Sequence, residues 1–136
     1  MKKITKKVLD EAFAGESMAH MKYLSFAEIA EKEGFSNIAR LFRAIAFAEQ
    51  VHAINHARVL EYLNNTEKNL QTAIEGETYE VEEMYPSFDA IVNLQGEEKA
   101  HRSIHYAIEA EKIHQLLYSN AKKSVIKPNG EVKTDY

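Results

Sequence analysis

Seven side chains in this sequence have types and spacings that suit metal chemistry. Glu49 and His52 stand three residues apart, and so do Glu111 and His114. On an α-helix that spacing points both side chains the same way, so each pair delivers a carboxylate and an imidazole to one point. Glu16 and Glu77 occur in matching contexts, Gly15-Glu16-Ser17 and Gly76-Glu77-Thr78, and Glu80 follows three residues after Glu77. All seven fall on helix faces whose other members are apolar. Glu16 lies among Ala12, Phe13, Ala19 and Tyr23, and Glu111 and His114 lie between Ile108 and Tyr118. A buried carboxylate without a partner is costly, so it takes up a proton or finds a cation. Seven such groups on inward faces need a shared cation, and a metal centre supplies one.

Two Glu-x-x-His motifs with one Glu from each of two further helices form the donor set of a di-iron or di-manganese carboxylate site in ferritin-like bundles. Carboxylate oxygen with one imidazole per metal favours iron or manganese, with zinc tolerated as a substitute, and the absence of Cys removes thiolate ligation. One Glu-x-x-His arises on exposed helices by chance; two, in register within a repeat, argue against coincidence. Glu82 and Glu83 read as solvated. His20, His56, His101 and His105 read as groups beside the ligands or on the surface, and His56, four residues past His52, is not counted as a ligand. Tyr23, seven residues after Glu16, shares its face and either donates a hydrogen bond to a ligand or packs.

Long helices must position these residues. The 136 residues include only 5 Gly and 2 Pro, too few turn-makers for a many-stranded sandwich or barrel. Apolar stripes of helical period predict four segments. The first spans about Thr5 to Glu33 and is stopped at Gly34-Phe35-Ser36, with Ser36 as N-cap of the second. The second runs to about Leu63. The third follows Asn64-Asn65-Thr66 and is kinked or split at Pro86; the fourth follows Gly96. The fold class is all-α, a four-helix bundle over residues 1–121, with an irregular tail over 122–136. The halves repeat: Gly-Glu-Ser/Thr recurs at an offset of 61 residues and Ala-Glu-x-x-His at 62, as a duplicated helical hairpin would give.

With 17 Lys and Arg against 21 Asp and Glu, the net charge is -4. Dispersed acidity of this kind argues against nucleic-acid and anionic-membrane partners. The start, Met1-Lys-Lys-Ile-Thr-Lys-Lys, is basic but no apolar run follows it, so neither a signal peptide nor a membrane span is expected, and a cytoplasmic protein is.

On these residues the chain resembles the rubrerythrin family in its di-iron domain. The matching stretches are Ala12-Phe-Ala-Gly-Glu-Ser-Met-Ala-His-Met-Lys-Tyr, Phe42-Arg-Ala-Ile-Ala-Phe-Ala-Glu-Gln-Val-His, Glu75-Gly-Glu-Thr-Tyr-Glu-Val-Glu-Glu-Met-Tyr-Pro-Ser-Phe and Glu109-Ala-Glu-Lys-Ile-His. They lie within roughly residues 4 to 121. The resemblance implies that Glu16 and Glu77 are terminal or chelating carboxylates, that Glu49 and Glu111 bridge two irons, and that His114 binds one of them. His52 and Glu80 would compete for the other, imidazole in the diferrous state and carboxylate in the diferric. Tyr23 would donate a hydrogen bond beside the site. The implied activity is a non-haem di-iron peroxidase that reduces hydrogen peroxide to water in oxidative-stress protection, with electrons from a rubredoxin-type donor. The alternative is a ferroxidase, oxygen-reducing or iron-storage ferritin-like protein. Family members typically continue into a rubredoxin domain with two Cys-x-x-Cys pairs. This chain has no Cys and ends at Val132-Lys-Thr-Asp-Tyr136, resembling the strand before the first pair, so either it was cut there or the donor is external.

The connection between the second and third segments bears on assembly. The third segment must run antiparallel to the first, yet a helix of about 25 residues is about 38 Å long. Three extended residues reach about 10 Å, and nine about 30 Å. A homodimer is therefore expected in which the first two helices of one chain swap to complete a bundle with the last two of the other.

Overall fold

The computed structural model describes residues 1–125, and every regular element among them is helical. Helix α1 spans Lys3–Lys32 and α2 spans Ser36–Val59. Helix α3 spans Thr66–Tyr79 and passes through a π-helical turn, Glu80–Met84, into α4, Tyr85–Leu94. Helix α5 spans Glu98–Val125. Counting α3, the π-turn and α4 as one interrupted segment gives the four predicted segments. No helix among the described residues is long and apolar enough to cross a membrane.

The chain divides into two compact units, residues 1–63 and residues from Asn64 onward. In the first, α1 and α2 pack through small side chains. Ala27, Ala30, Ala39, Ala46, Ala53 and Ala57 are buried, with Leu60 the only larger apolar residue among them. A methyl-sized contact lets two helices approach closely. It also leaves bulk uncovered: Phe47 is 65% exposed and Leu41 54%. In the second unit α5 packs along α3 and α4. Gln115 donates to the Thr78 hydroxyl at 2.6 Å, Lys122 donates to Gln71, and His101 Nδ1 meets Asp89 at 2.5 Å.

The corners repeat as the helices do. Gly34 (φ 84°) and Gly96 (φ 70°), 62 residues apart, adopt the left-handed conformation that glycine reaches without strain. Each is followed by a closing backbone bond, Phe35 N–H to Ala30 O and Glu97 N–H to Val92 O. Helix α2 ends the same way with the non-glycine residue Glu61 at φ 61°, and Tyr62 N–H returns to Ala57 O. That early stop ends α2 at Val59, short of Leu63.

Two boundaries correct the sequence reading. Ser36 is the first residue of α2 and not its N-cap. Phe35 holds the cap position without a side-chain cap, its own carbonyl already accepting from Ala39 N–H. The side-chain cap forms instead at Asn65, which accepts from Lys68 N–H at 3.0 Å. Helix α5 continues through Val125, so residues 122–125 are helical where an irregular tail was expected. The remainder of that tail, including Val132–Tyr136, lies outside the described residues.

The π-turn explains why the repeat offset changes. Pro86 has no N–H to give the carbonyl four residues back, and its ring crowds that carbonyl. Tyr85 N–H bonds to Glu80 O, five residues back, so one extra residue is accommodated without breaking the segment. Before the turn the halves match at 61 (Gly15 and Gly76, Glu16 and Glu77). After it they match at 62 (Tyr23 and Tyr85, Phe26 and Phe88, Ile29 and Ile91). The inserted residue thus lies between Glu80 and Tyr85.

Candidate metal centre

Each unit assembles one carboxylate–carboxylate–imidazole triplet. In the first, α1 supplies Glu16 and α2 supplies Glu49 and His52; in the second, α3 supplies Glu77 and α5 supplies Glu111 and His114. Within each triplet the donor atoms lie within 4.8 Å of one another. His52 Nδ1 stands 2.9 Å from Glu49 Oε2 and 3.8 Å from Glu16 Oε1. His114 Nδ1 stands 2.6 Å from Glu111 Oε2 and 3.9 Å from Glu77 Oε2. The same ring nitrogen faces the same pair of carboxylates in both units, so Nδ1 is the atom presented to a cation.

Burial sorts the donors in the same way twice. The carboxylates of Glu49, Glu77 and Glu111 are each 17% exposed and that of Glu16 32%, whereas His52 and His114 are 55% and 48% exposed. Anionic groups are therefore drawn inward and imidazoles left at the rim, opposite to what burial alone would select. Glu77 shows the electrostatic consequence. Burial first, then a hydrogen bond and the like charge of Glu111, with a further push from Glu80 against a pull from His114, raise its pKa to about 7. Below about pH 7 a proton is therefore held where a cation would satisfy both carboxylates. The donor set of oxygens and imidazole fits iron or manganese by type, number and spacing.

The remaining predicted residues fall nearby in different ways. Glu80, the last residue before the extra one of the π-turn, acts electrostatically on Glu77 and on Tyr85 but is not within the close triplet. Tyr23 packs its ring between Phe26 and Phe42, at 6.1 Å from each. Glu82 and Glu83 are exposed. His20 turns Nδ1 to the Ala46 carbonyl at 2.7 Å; a carbonyl only accepts, so His20 is the donor there. Tyr85 is the residue the sequence reading missed. Its hydroxyl is pushed upward in pKa by burial and then by Glu80, Glu111 and Glu77, which places it in the field of three carboxylates. Its ring meets Phe88 edge-on at 6.5 Å, where the corresponding Tyr23 ring meets Phe26 at 6.1 Å in a tilted arrangement.

An all-helical fold carrying paired carboxylate–imidazole triplets belongs to the ferritin-like di-iron carboxylate class. Comparison with known proteins narrows this. The rubrerythrin family model matches residues 7–122. Rubrerythrin-2 of Clostridium acetobutylicum is 43% identical over 135 residues, covering 89% of this chain and 73% of that protein. Nigerythrin of Nitratidesulfovibrio vulgaris is 35% identical, covering 90% and 68%. The fully reduced, all-ferrous structure of nigerythrin aligns with 32% identity over 91% of this chain and 68% of that one, at a TM-score of 0.48. This chain belongs to the rubrerythrin family. It is thereby a di-iron protein of the oxidoreductase class, associated with oxidative stress.

Proposed function

We propose that the chain is a non-haem di-iron peroxidase that reduces hydrogen peroxide to water with electrons from an external rubredoxin-type donor. The observation that carries this reading is the duplicated triplet, Glu16/Glu49/His52 and Glu77/Glu111/His114, with Nδ1 of each imidazole aimed at two carboxylates. Family membership and the oxygen-rich donor set favour iron, with manganese and zinc as substitutes. The iron pair, when bound, supplies two one-electron reductants. The overall change is one peroxide, two electrons and two protons giving two waters.

The protein residues divide the remaining work. Glu49 and Glu111, the carboxylates closest to Nδ1 in each unit, would hold the metal pair as its bridging carboxylates, and Glu16 and Glu77 would hold it at the ends. His114 would be a fixed ligand. His52 and Glu80 would be alternative ligands of the second iron, since an added anionic oxygen suits a ferric ion and imidazole a ferrous one. Tyr85 lies in the field of Glu80, Glu111 and Glu77, and Tyr23, at the corresponding place in the repeat, would serve as the hydrogen-bond donor of the other half. Stopped-flow mixing of chemically reduced, iron-loaded protein with peroxide tests the reading. Stoichiometric iron and fast reoxidation are expected; absence of either removes the peroxidase assignment. Glu80→Ala should keep its iron while turning over about tenfold more slowly, since it alters one exchangeable ligand and not the bridge. Wild-type turnover in that variant would contradict its role.

The assembly proposed is the helix-swapped homodimer, in a cytoplasmic setting. Six residues, 60–65, connect α2 to α3 and extend to about 20 Å, against about 36 Å for the 24 residues of α2. The apolar residues that each unit leaves uncovered, Phe47 and Val51 in one and Ile113 and Leu116 in the other, favour association. A dimer is expected by light scattering at micromolar concentration. A crystal with all four helical segments of one bundle from a single chain would overturn the swap.

A further inference from the structure

The basic start of the chain remains unused by the peroxidase reading. Lys2, Lys3, Lys6 and Lys7 are four of the 17 Lys and Arg, and no acidic residue lies among the first seven positions. The other 13 are set against 21 Asp and Glu, so a positive patch stands on an otherwise markedly negative chain. It is also shaped. Lys3, Ile4, Lys6, Lys7 and Asp10 line a depression of about 570 Å³, with Ile4 66% exposed as an apolar centre. Lys6 is held in place by Asp10 at 2.9 Å and the Tyr62 hydroxyl at 3.0 Å, and its ammonium lies 5.2 Å from the centre of the Tyr62 ring. Lys7, 71% exposed, is free to meet a partner beyond its 3.8 Å pairing with Glu11.

From that depression a path leads towards the metal ligands. Tyr62 also donates its hydroxyl proton to Asp10, and its ring packs edge-on against Phe13 at 6.0 Å. Phe13 lies three residues before Glu16, and Asp10 is about 9 Å from Glu16 along α1.

We propose that the lysine-rimmed depression formed by Lys3, Ile4, Lys6 and Lys7 is the docking surface for a small acidic one-electron donor protein, with Tyr62 and Phe13 between the docked donor and Glu16. The inference rests on the peroxidase reading, which consumes two electrons per peroxide. Each encounter would oxidise one donor by one electron, and two encounters would deliver the two electrons that one peroxide consumes, without atom transfer. An apolar centre inside a charged rim is the build of a transient interface, and complementary charge governs its association rate. The acidity of the rest of the chain repels an acidic partner elsewhere and so selects this place. It also repels any extended anionic surface, such as a bilayer, that would have to lie along more than the patch.

The experiment uses the iron-loaded 136-residue chain, an acidic rubredoxin as probe, and the double variant Lys3→Glu/Lys7→Glu, whose side chains do not tie α1 to α2. Calorimetric titration with the oxidised probe and stopped-flow reduction by the reduced probe are compared at low and high salt. Expected are binding and reduction that weaken with salt in the wild type and fall at least tenfold in the variant at low salt. Dithionite reduction and peroxide reoxidation should be the same in both proteins. Equal binding and equal reduction of wild type and variant would overturn the proposal. So would loss of binding to phosphatidylserine vesicles in the variant with probe binding intact, which would assign the patch to a lipid surface. Failure of dithionite-reduced wild type to react with peroxide would overturn the peroxidase reading instead, while the calorimetric comparison would still decide where the probe docks.

Discussion

Glu111→Ala is expected to lose bound iron, with affinity reduced by more than about 100-fold, while the chain stays folded. The carboxylate sits 2.6 Å from His114 Nδ1 and is only 17% exposed, so it contributes both a ligand oxygen and the orientation of a second ligand. Its removal should not destabilise the metal-free protein, because Glu111 is also a cause of the raised pKa of Glu77; truncation relieves that crowding. Glu49→Ala removes the corresponding group, 2.9 Å from His52 Nδ1, and should lose iron likewise. The measurements are iron content per chain after anaerobic loading and thermal unfolding of the metal-free forms. Unchanged iron in both variants would refute the bridging assignment. A large loss of metal-free stability in Glu111→Ala would mean that its role is packing. The two readouts together separate a ligand from a structural residue.

How much of this was legible from residue types depends on register. The triplets were, because Glu-x-x-His is a spacing that helix geometry turns directly into proximity, and two copies sat at matching places. A regular α-helix turns about 100° per position. That holds through α1, where Tyr23, seven residues after Glu16, comes back within about 20° of its direction. Tyr85 is eight residues after Glu77, which on a regular helix places it about 80° away, off the face. The π-turn Glu80–Met84 absorbs the extra residue and returns Tyr85 to the carboxylates. The change of repeat offset from 61 to 62 was the trace of that insertion. Its cause, the Tyr85 N–H bonding five residues back to Glu80 O, is a backbone feature that residue types do not encode. Cap positions were misread for a different reason. Ser36 has the side chain of an N-cap, but the left-handed Gly34 closes α1 so tightly that Phe35 already occupies the cap position. Backbone geometry outweighed side-chain preference there.

The other large effect is a pH dependence of metal uptake set by Glu77. Its pKa, about 7 in the folded metal-free chain against an ordinary 4.5, means that the folded state holds a proton which the unfolded chain has released between those values. The contribution of Glu77 to the stability of the metal-free protein is therefore present below about pH 4.5 and is lost as pH rises through 7. A metal ion replaces that proton, so uptake below pH 7 must expel it. From Glu77 alone, affinity should rise about tenfold per pH unit between pH 5 and 7, close to 100-fold across the interval, and then level off. Manganese titration at fixed ionic strength, with proton release followed in weakly buffered solution, measures both the slope and the proton count. In Glu77→Gln the slope should flatten, because the amide carries no exchangeable proton. In metal-free Glu111→Ala, carboxyl NMR titration should show Glu77 releasing its proton at lower pH than in the wild type, because burial remains the first cause of the raised pKa but the neighbouring carboxylate is gone. A wild-type affinity independent of pH from 5 to 7 would show that no proton is held between Glu77 and Glu111, and the electrostatic case for a cation at that pair would fail with it.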